Sequence, residues 1–260
     1  MEQGTPMPAR VTPPRHSPNS VDSMLDTLRN RFPDAVPVGT YLDRVATALD
    51  PFDFRPDATF AAVSICRDEL TQQLIEQVAQ RWHRPFAVGG LGAMPSLGRT
   101  GWRACLSHVP DTDGRGRLLV FGMPHLGIDR DGTVGQTLRR NQGKPTATCG
   151  AMVSLLDVVR TGDVGSLPPG LDDHEAQRLL RFVQDETGAV PMELIELTHR
   201  AALAVEEEMW AELDALDAWR EMDVAVLGGV QIHVPERSDH VWPIGASVKG
   251  ADGVRIPLTL

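Results

Sequence analysis

The sequence predicts an α/β fold, a mainly parallel sheet flanked by helices with additional helices in its C-terminal half. Three observations carry that reading. Apolar runs of strand length, residues 59–65 (TFAAVSI), 117–122 (RLLVFG) and 224–234 (VAVLGGVQIHV), recur along the chain. Segments of helical periodicity lie between them, as alternating strands and helices of a parallel sheet require. No internal repeat and no linker composition interrupts residues 21–260, which read as one domain.

Residues 1–20 hold five prolines and few large apolar side chains, the composition of a disordered tail. Residues 21–32 put Met24, Leu25 and Leu28 on one helical face, with Asn19 or Ser20 available as a cap. A second short helix spans 39–49. The strand 59–65 stops at Cys66, and Leu70, Leu74, Ile75 and Val78 mark a helix over 69–82. Cys66 and Asp68 therefore sit at a strand-to-helix junction, and ligands of open α/β sheets bind at the carboxyl ends of strands. Residues 86–88 form a short strand before the bend Gly89-Gly90-Leu91-Gly92. The strand 117–122 ends at Met123-Pro124-His125. Residues 129–132 make a hairpin-like turn, and 139–144 a basic loop. Cys149-Gly150 opens a helix over 151–160, and 171–186 and 191–219 read as longer helices.

Hydrophobic residues make up 42% and charged residues 23%, an ordinary globular mix. The net charge of −10 disfavours a phosphate backbone as partner, and no apolar run approaches the ~20 residues a bilayer span needs. Nucleic acid and membrane are thus not expected partners. Three cysteines and no apolar leader fit a reducing, cytoplasmic setting. Gly89, Gly90 and Gly92 lack the dinucleotide-binding spacing, and Gly143-Lys144 lacks the remainder of a phosphate loop.

Cys66, His125 and Cys149 each stand where a strand ends or a helix begins. Two thiols and an imidazole make a tetrahedral zinc set with one position open, although from spacing alone buried inert cysteines are the simpler reading of residues so far apart. Cys105, beside Leu106, reads as core. His16 falls in the tail, and His83, His174, His199 and His240 read as surface residues. His233 lies on the strand 224–234, facing either way.

The stretches ICRDEL, GGLGAMPSLGRTGWRACLSH, LLVFGMPHLGIDRDGTVGQ and GKPTATCGAM, followed by VLGGVQIHVP and VWP, resemble the limiting-CO2-inducible B/C family of divergent β-carbonic anhydrases over residues 51–243. The resemblance implies a β-carbonic-anhydrase-like sheet and a homodimer. It implies Zn2+ held by Cys66, His125 and Cys149. It also implies reversible hydration of CO2 to bicarbonate by zinc-bound hydroxide, with Asp68 as gate and orienter. Phe86, Val88, Leu91 and His108 are candidates for the wall of a CO2 pocket. Leu70 stands where ordinary β-class enzymes carry the Arg that pairs with the Asp. Arg67, placed with Asp68 among the catalytic candidates, Arg99 and Arg103 are the arginines open to replace it. The missing Arg at 70 favours a second reading, a catalytically silent zinc protein acting as an inorganic-carbon sensor or a partner-binding subunit.

Overall fold

In the computed structural model, described over residues 19–140, 142–162, 174–185 and 193–260, strands β2 (Phe60–Ile65), β5 (Arg115–Met123) and β9 (Met222–His233) form the parallel centre of a mixed sheet. The expected tail at 1–20 lies outside these residues except for its last two positions, which begin α1 (Asn19–Arg31). Among the described residues the sheet runs in the order β1 (Val36–Pro37), β10 (His240–Lys249), β9, β5, β2, β3 (Phe86–Ala87). From β9 to β3 every neighbour is parallel, and β10 and β1 add an antiparallel flank. No described helix is long and apolar enough to cross a membrane.

The central strands are buried on both faces, which is why they read as continuous apolar runs. Their side chains divide by parity. Ala61, Val63, Leu119, Phe121, Ala225 and Leu227 pack on α2 (Val38–Leu49) and α3 (Gln72–Trp82). Ala62, Leu118, Val120, Val224 and Val226 pack on α4 (Gly98–Leu106), α5 (Gly150–Thr161), α6 (His174–Asp185) and α7 (Leu194–Asp214). The helix expected over 191–219 ends at Asp214, and Asp217 then takes a left-handed backbone at φ 53°.

The path of the chain creates a crevice. After β2 it passes through α3 to β3 at the sheet edge, then through α4 on the opposite face and back to β5 on the other side of β2. The strand order thus reverses between β2 and β5, and α/β sheets bind ligands outside the carboxyl ends at such a point.

Register then brings two distant residues together. Phe60 pairs with Leu118 and Ile65 with Met123, so Cys66 lies level with Pro124, one residue before His125. Strand β6 (His125–Gly127) continues β5 along β9 without change of register, because Gly122 pairs with Gly228 and His125 with Gln231. The interruption is Pro124, which has no N–H to give the ladder. Its carbonyl still accepts from the Gln231 N–H at 2.9 Å.

The glycine bend keeps the end of β2 in place. A Cβ on Gly89 would sit 2.5 Å from the Ile65 nitrogen and 2.6 Å from its carbonyl oxygen. Backbone cannot yield as a flexible side chain can, so Gly89→Ala is expected to cost about 1–3 kcal/mol. Urea unfolding checks this; an unchanged midpoint would show that the close approach is dispensable.

Candidate metal centre

Cys66, His125 and Cys149 converge at this crevice. All three are buried, and one ligand atom from each lies within 4.8 Å of the others. Cys66 follows β2, His125 opens β6, and Cys149 caps α5, whose Val153 N–H bonds to the Cys149 carbonyl at 3.1 Å. Cys149 reaches this position through a hairpin of β7 (Gln136–Thr137) and β8 (Thr146–Ala147). The bond from Thr148 N–H to Gly135 O extends that hairpin, and the bond from Gly135 N–H to Gly127 O ties it to β6.

The electrostatics are those of two sulfurs sharing one proton. A hydrogen bond from the Cys149 thiol holds Cys66 far below the ordinary thiol range against the effect of burial, and His125 and then the Asp68 N–H add to the lowering. The same bond, with burial and the facing thiolate, pushes Cys149 far above that range. His125 Nδ1 lies 2.9 Å from His233 Nε2, while its buried Nε2 meets no partner in hydrogen-bond geometry. A divalent cation answers all three conditions at once. It replaces the shared proton, neutralises the second thiolate and occupies the orphaned nitrogen. Soft thiolates with imidazole select zinc over magnesium or calcium.

Asp68 lies beside this cluster with its side chain 15% exposed. Its Oδ1 accepts from the Leu70 N–H at 3.0 Å and so caps the short 3-10 turn Glu69–Thr71. Its Oδ2 accepts from Arg139 at 2.7 Å. Arg139 also donates to Glu69 Oε1, Thr146 Oγ1, Ala147 O and Thr148 O, at 2.7–2.9 Å. One guanidinium therefore joins the Asp68 turn to the strand that delivers Cys149. This corrects the expectation for Arg67, whose guanidinium instead pairs with Glu175 on α6 at 2.7 Å.

The expected pocket residues separate into two groups. Val88 belongs to the buried cluster that contains Cys66 and Cys149, together with Ala93, Met94 and Met152. Leu91 is half-buried at the start of the 3-10 turn Leu91–Ala93 and is not part of that cluster. Phe86 and His108 are corrections. Phe86 pairs with Ala62, four residues before Cys66, roughly 13 Å back along the strand. His108 stacks on Phe60 with ring centroids 5.9 Å apart. Both close the far end of the sheet.

Cys105 is buried within the core, and burial pushes its thiol up to about 12. His199 and His240 are half-buried rather than surface residues, His199 lying against Trp242. Sequence reasoning missed two participants. Arg139 stood in a basic loop that reads as exposed, and Asp239, whose Oδ2 lies 2.8 Å from Nδ1 of the His233 that meets His125, stood after the last expected strand with no apolar pattern around it.

Comparison with known proteins agrees with this geometry. A sequence model of the family described as limiting CO2-inducible proteins B/C beta carbonic anhydrases matches residues 35–250. The solved structure of PtLCIB4, described as a homolog of the limiting CO2-inducible protein LCIB, shares the fold with a TM-score of 0.77 and 24% identity, over 91% of this chain and 100% of that one. The structure of limiting CO2-inducible protein LCIB itself aligns with a TM-score of 0.72 and 27% identity, over 89% of this chain and 97% of that one. No curated protein matches the sequence.

Proposed function

Because this chain belongs to the limiting CO2-inducible B/C family of β carbonic anhydrases, we propose that it binds one zinc ion through Cys66, His125 and Cys149 and catalyses the reversible hydration of CO2 to bicarbonate. The observation that carries the proposal is the convergence of those three buried donors at the carboxyl ends of β2 and β5.

Zinc bound there supplies the Lewis acidity that makes water a nucleophile at mild pH. The chain supplies the rest. Asp68, fixed through Oδ1 by the Leu70 N–H and through Oδ2 by Arg139, keeps lone pairs with which to accept a hydrogen bond from the attacking water and aim it. Its bond to Arg139 also makes its carboxylate a weaker competitor for the metal, which favours an open site over a closed one. Arg139 thereby meets the need that the missing Arg at position 70 raised, and this weighs against the silent-homologue reading. Val88, Ala93 and Met94 give the site an apolar side suited to CO2, which offers no charge to grip. The reaction balances as CO2 and water giving bicarbonate and one proton.

Stopped-flow CO2 hydration on zinc-quantified protein tests this. Two thiolates cancel the double positive charge of the metal, so the proton that water must lose is held more tightly than at a three-histidine site, where it leaves near about 7. Turnover is expected to depend on zinc and to rise from neutral into alkaline pH. Full zinc occupancy with no turnover at any pH would point instead to a sensor or partner-binding role.

A further inference from the structure

We infer that His233 and Asp239 form a positioning relay that sets the tautomer and ring orientation of His125, leaving its Nε2 bare for the metal. The inference rests on the zinc site proposed above and assigns it two residues from the β9–β10 hairpin, His233 lying 108 positions from His125 along the chain.

With both imidazoles neutral, the direction of every hydrogen bond follows from one end of the chain of groups. A carboxylate can only accept. Asp239 Oδ2 lies 2.8 Å from His233 Nδ1 and 2.8 Å from Gln231 Nε2, so both nitrogens donate to it. A neutral His233 protonated on Nδ1 has a bare Nε2, which must accept. Its neighbour at 2.9 Å is His125 Nδ1, which therefore donates. Neutral His125 is left with its lone pair on Nε2, the buried nitrogen without a partner. Since Nδ1 is committed to His233, Nε2 is the nitrogen available to the two sulfurs. Which imidazole nitrogen can ligate a metal is set by the bond that the other one makes.

The relay is rigidly mounted. His125 pairs with Gln231 and Gly127 with His233 along β6 and β9, so the two imidazoles share one face of the sheet. Their rings meet edge to face at 5.1 Å and 77°. Asp239 is held by its neighbours as well: its N–H donates to Gln73 Oε1 on α3, and its carbonyl accepts from the Val38 N–H on α2. His125, Gln231, His233 and Asp239 are all buried, so no water competes for these bonds.

Two substitutions break the relay differently. His233→Phe keeps the ring volume and removes the acceptor. Asp239→Asn keeps the shape but offers an amide donor to His233 Nδ1, so the whole chain can reverse and place a hydrogen on His125 Nε2. Removal of such supports costs 10–100-fold in metal affinity, and that loss is expected in both variants by chelator competition. Nitrogen-15 NMR of histidine in the metal-free protein is expected to show Nδ1–H at His125 in wild type and Nε2–H in both variants. His233→Gln, whose side-chain oxygen can accept from His125, is expected to recover most of the affinity. Wild-type zinc affinity and an unchanged His125 tautomer in His233→Phe or Asp239→Asn would overturn the relay. Neither readout requires turnover. A wild type that never hydrates CO2 while these losses appear would sink the carbonic anhydrase reading and spare the relay, and active variants with unaltered zinc would do the reverse.

Discussion

Alanine in place of Cys66, His125 or Cys149 is expected to remove stoichiometric zinc from the protein, and with it the stability that zinc confers. The three donors are buried and mutually close, so each lost ligand leaves a site with too few groups to complete a tetrahedral set. The thermodynamic signature is separable from activity. A metal that binds only the folded state adds about 4.1 kcal/mol when its free concentration is a thousandfold above the dissociation constant. Metal-free wild type should gain a stabilisation of that order on zinc addition, and the three variants should gain little. Cys105→Ala is the control. Its thiol, pushed up to about 12 by burial, lies in the core and should leave zinc content untouched. Metal analysis after dialysis and thermal melts with and without zinc read the result. One equivalent of zinc retained in all three ligand variants would end the assignment.

Arg139→Ala is expected to lower CO2 hydration about a hundredfold while zinc stays bound, since a small misplacement of an orienting group is enough for a loss of that size. Without the guanidinium, Asp68 keeps only the Leu70 N–H and is free to swing toward the metal. The substitution also removes the bonds to Thr146 Oγ1, Ala147 O and Thr148 O, so a stability loss of about 2 kcal/mol should accompany it. Arg139→Lys keeps the charge but cannot reproduce the fork that reaches Asp68 and the strand together, so its turnover should fall between the two. Turnover and zinc content are measured on the same samples. Unchanged turnover in Arg139→Ala would remove the pair from the mechanism. Loss of zinc would reassign Arg139 to holding the strand before Cys149.

Most of the helical and central-strand elements were legible because their signals are local. The strand expected at 59–65 is β2 with one residue added at its start, the one at 117–122 lies inside β5, and the one at 224–234 is β9 begun two residues late and carried one residue past its end. All three are buried on both faces, so nearly every residue in them had to be apolar. Strand β10 escaped notice for the opposite reason. Its sequence, HVWPIGASVK, mixes His, Ser and Lys with a proline, which argues against a strand beside a sheet centre. A register shift between Pro243 and Gly245 absorbs that proline, and no local pattern announces such an irregularity. Strands β1 and β6, of two and three residues, are too short to show any periodicity.

The candidate site divides along the same line. Cys66, Asp68, His125 and Cys149 stood out because each sits at a junction and resembles a family motif. The partners that orient them did not. Arg67 was the nearest arginine to Asp68 in sequence, and the structure selects Arg139, 71 residues away. His233, read as facing either way, proves to bond His125 across 108 residues. By itself the sequence determined the α/β alternation, the buried strands, the chemical character of the donors and the family. Tertiary structure alone decided that Cys66 lies level with Pro124, that Arg139 and not Arg67 meets Asp68, and that an Asp–His pair stands behind the His125 imidazole. Periodicity and turn chemistry act over a few residues and are written in composition. Hydrogen-bond partners across a sheet depend on strand order and register, which exist only once the whole chain has closed on itself.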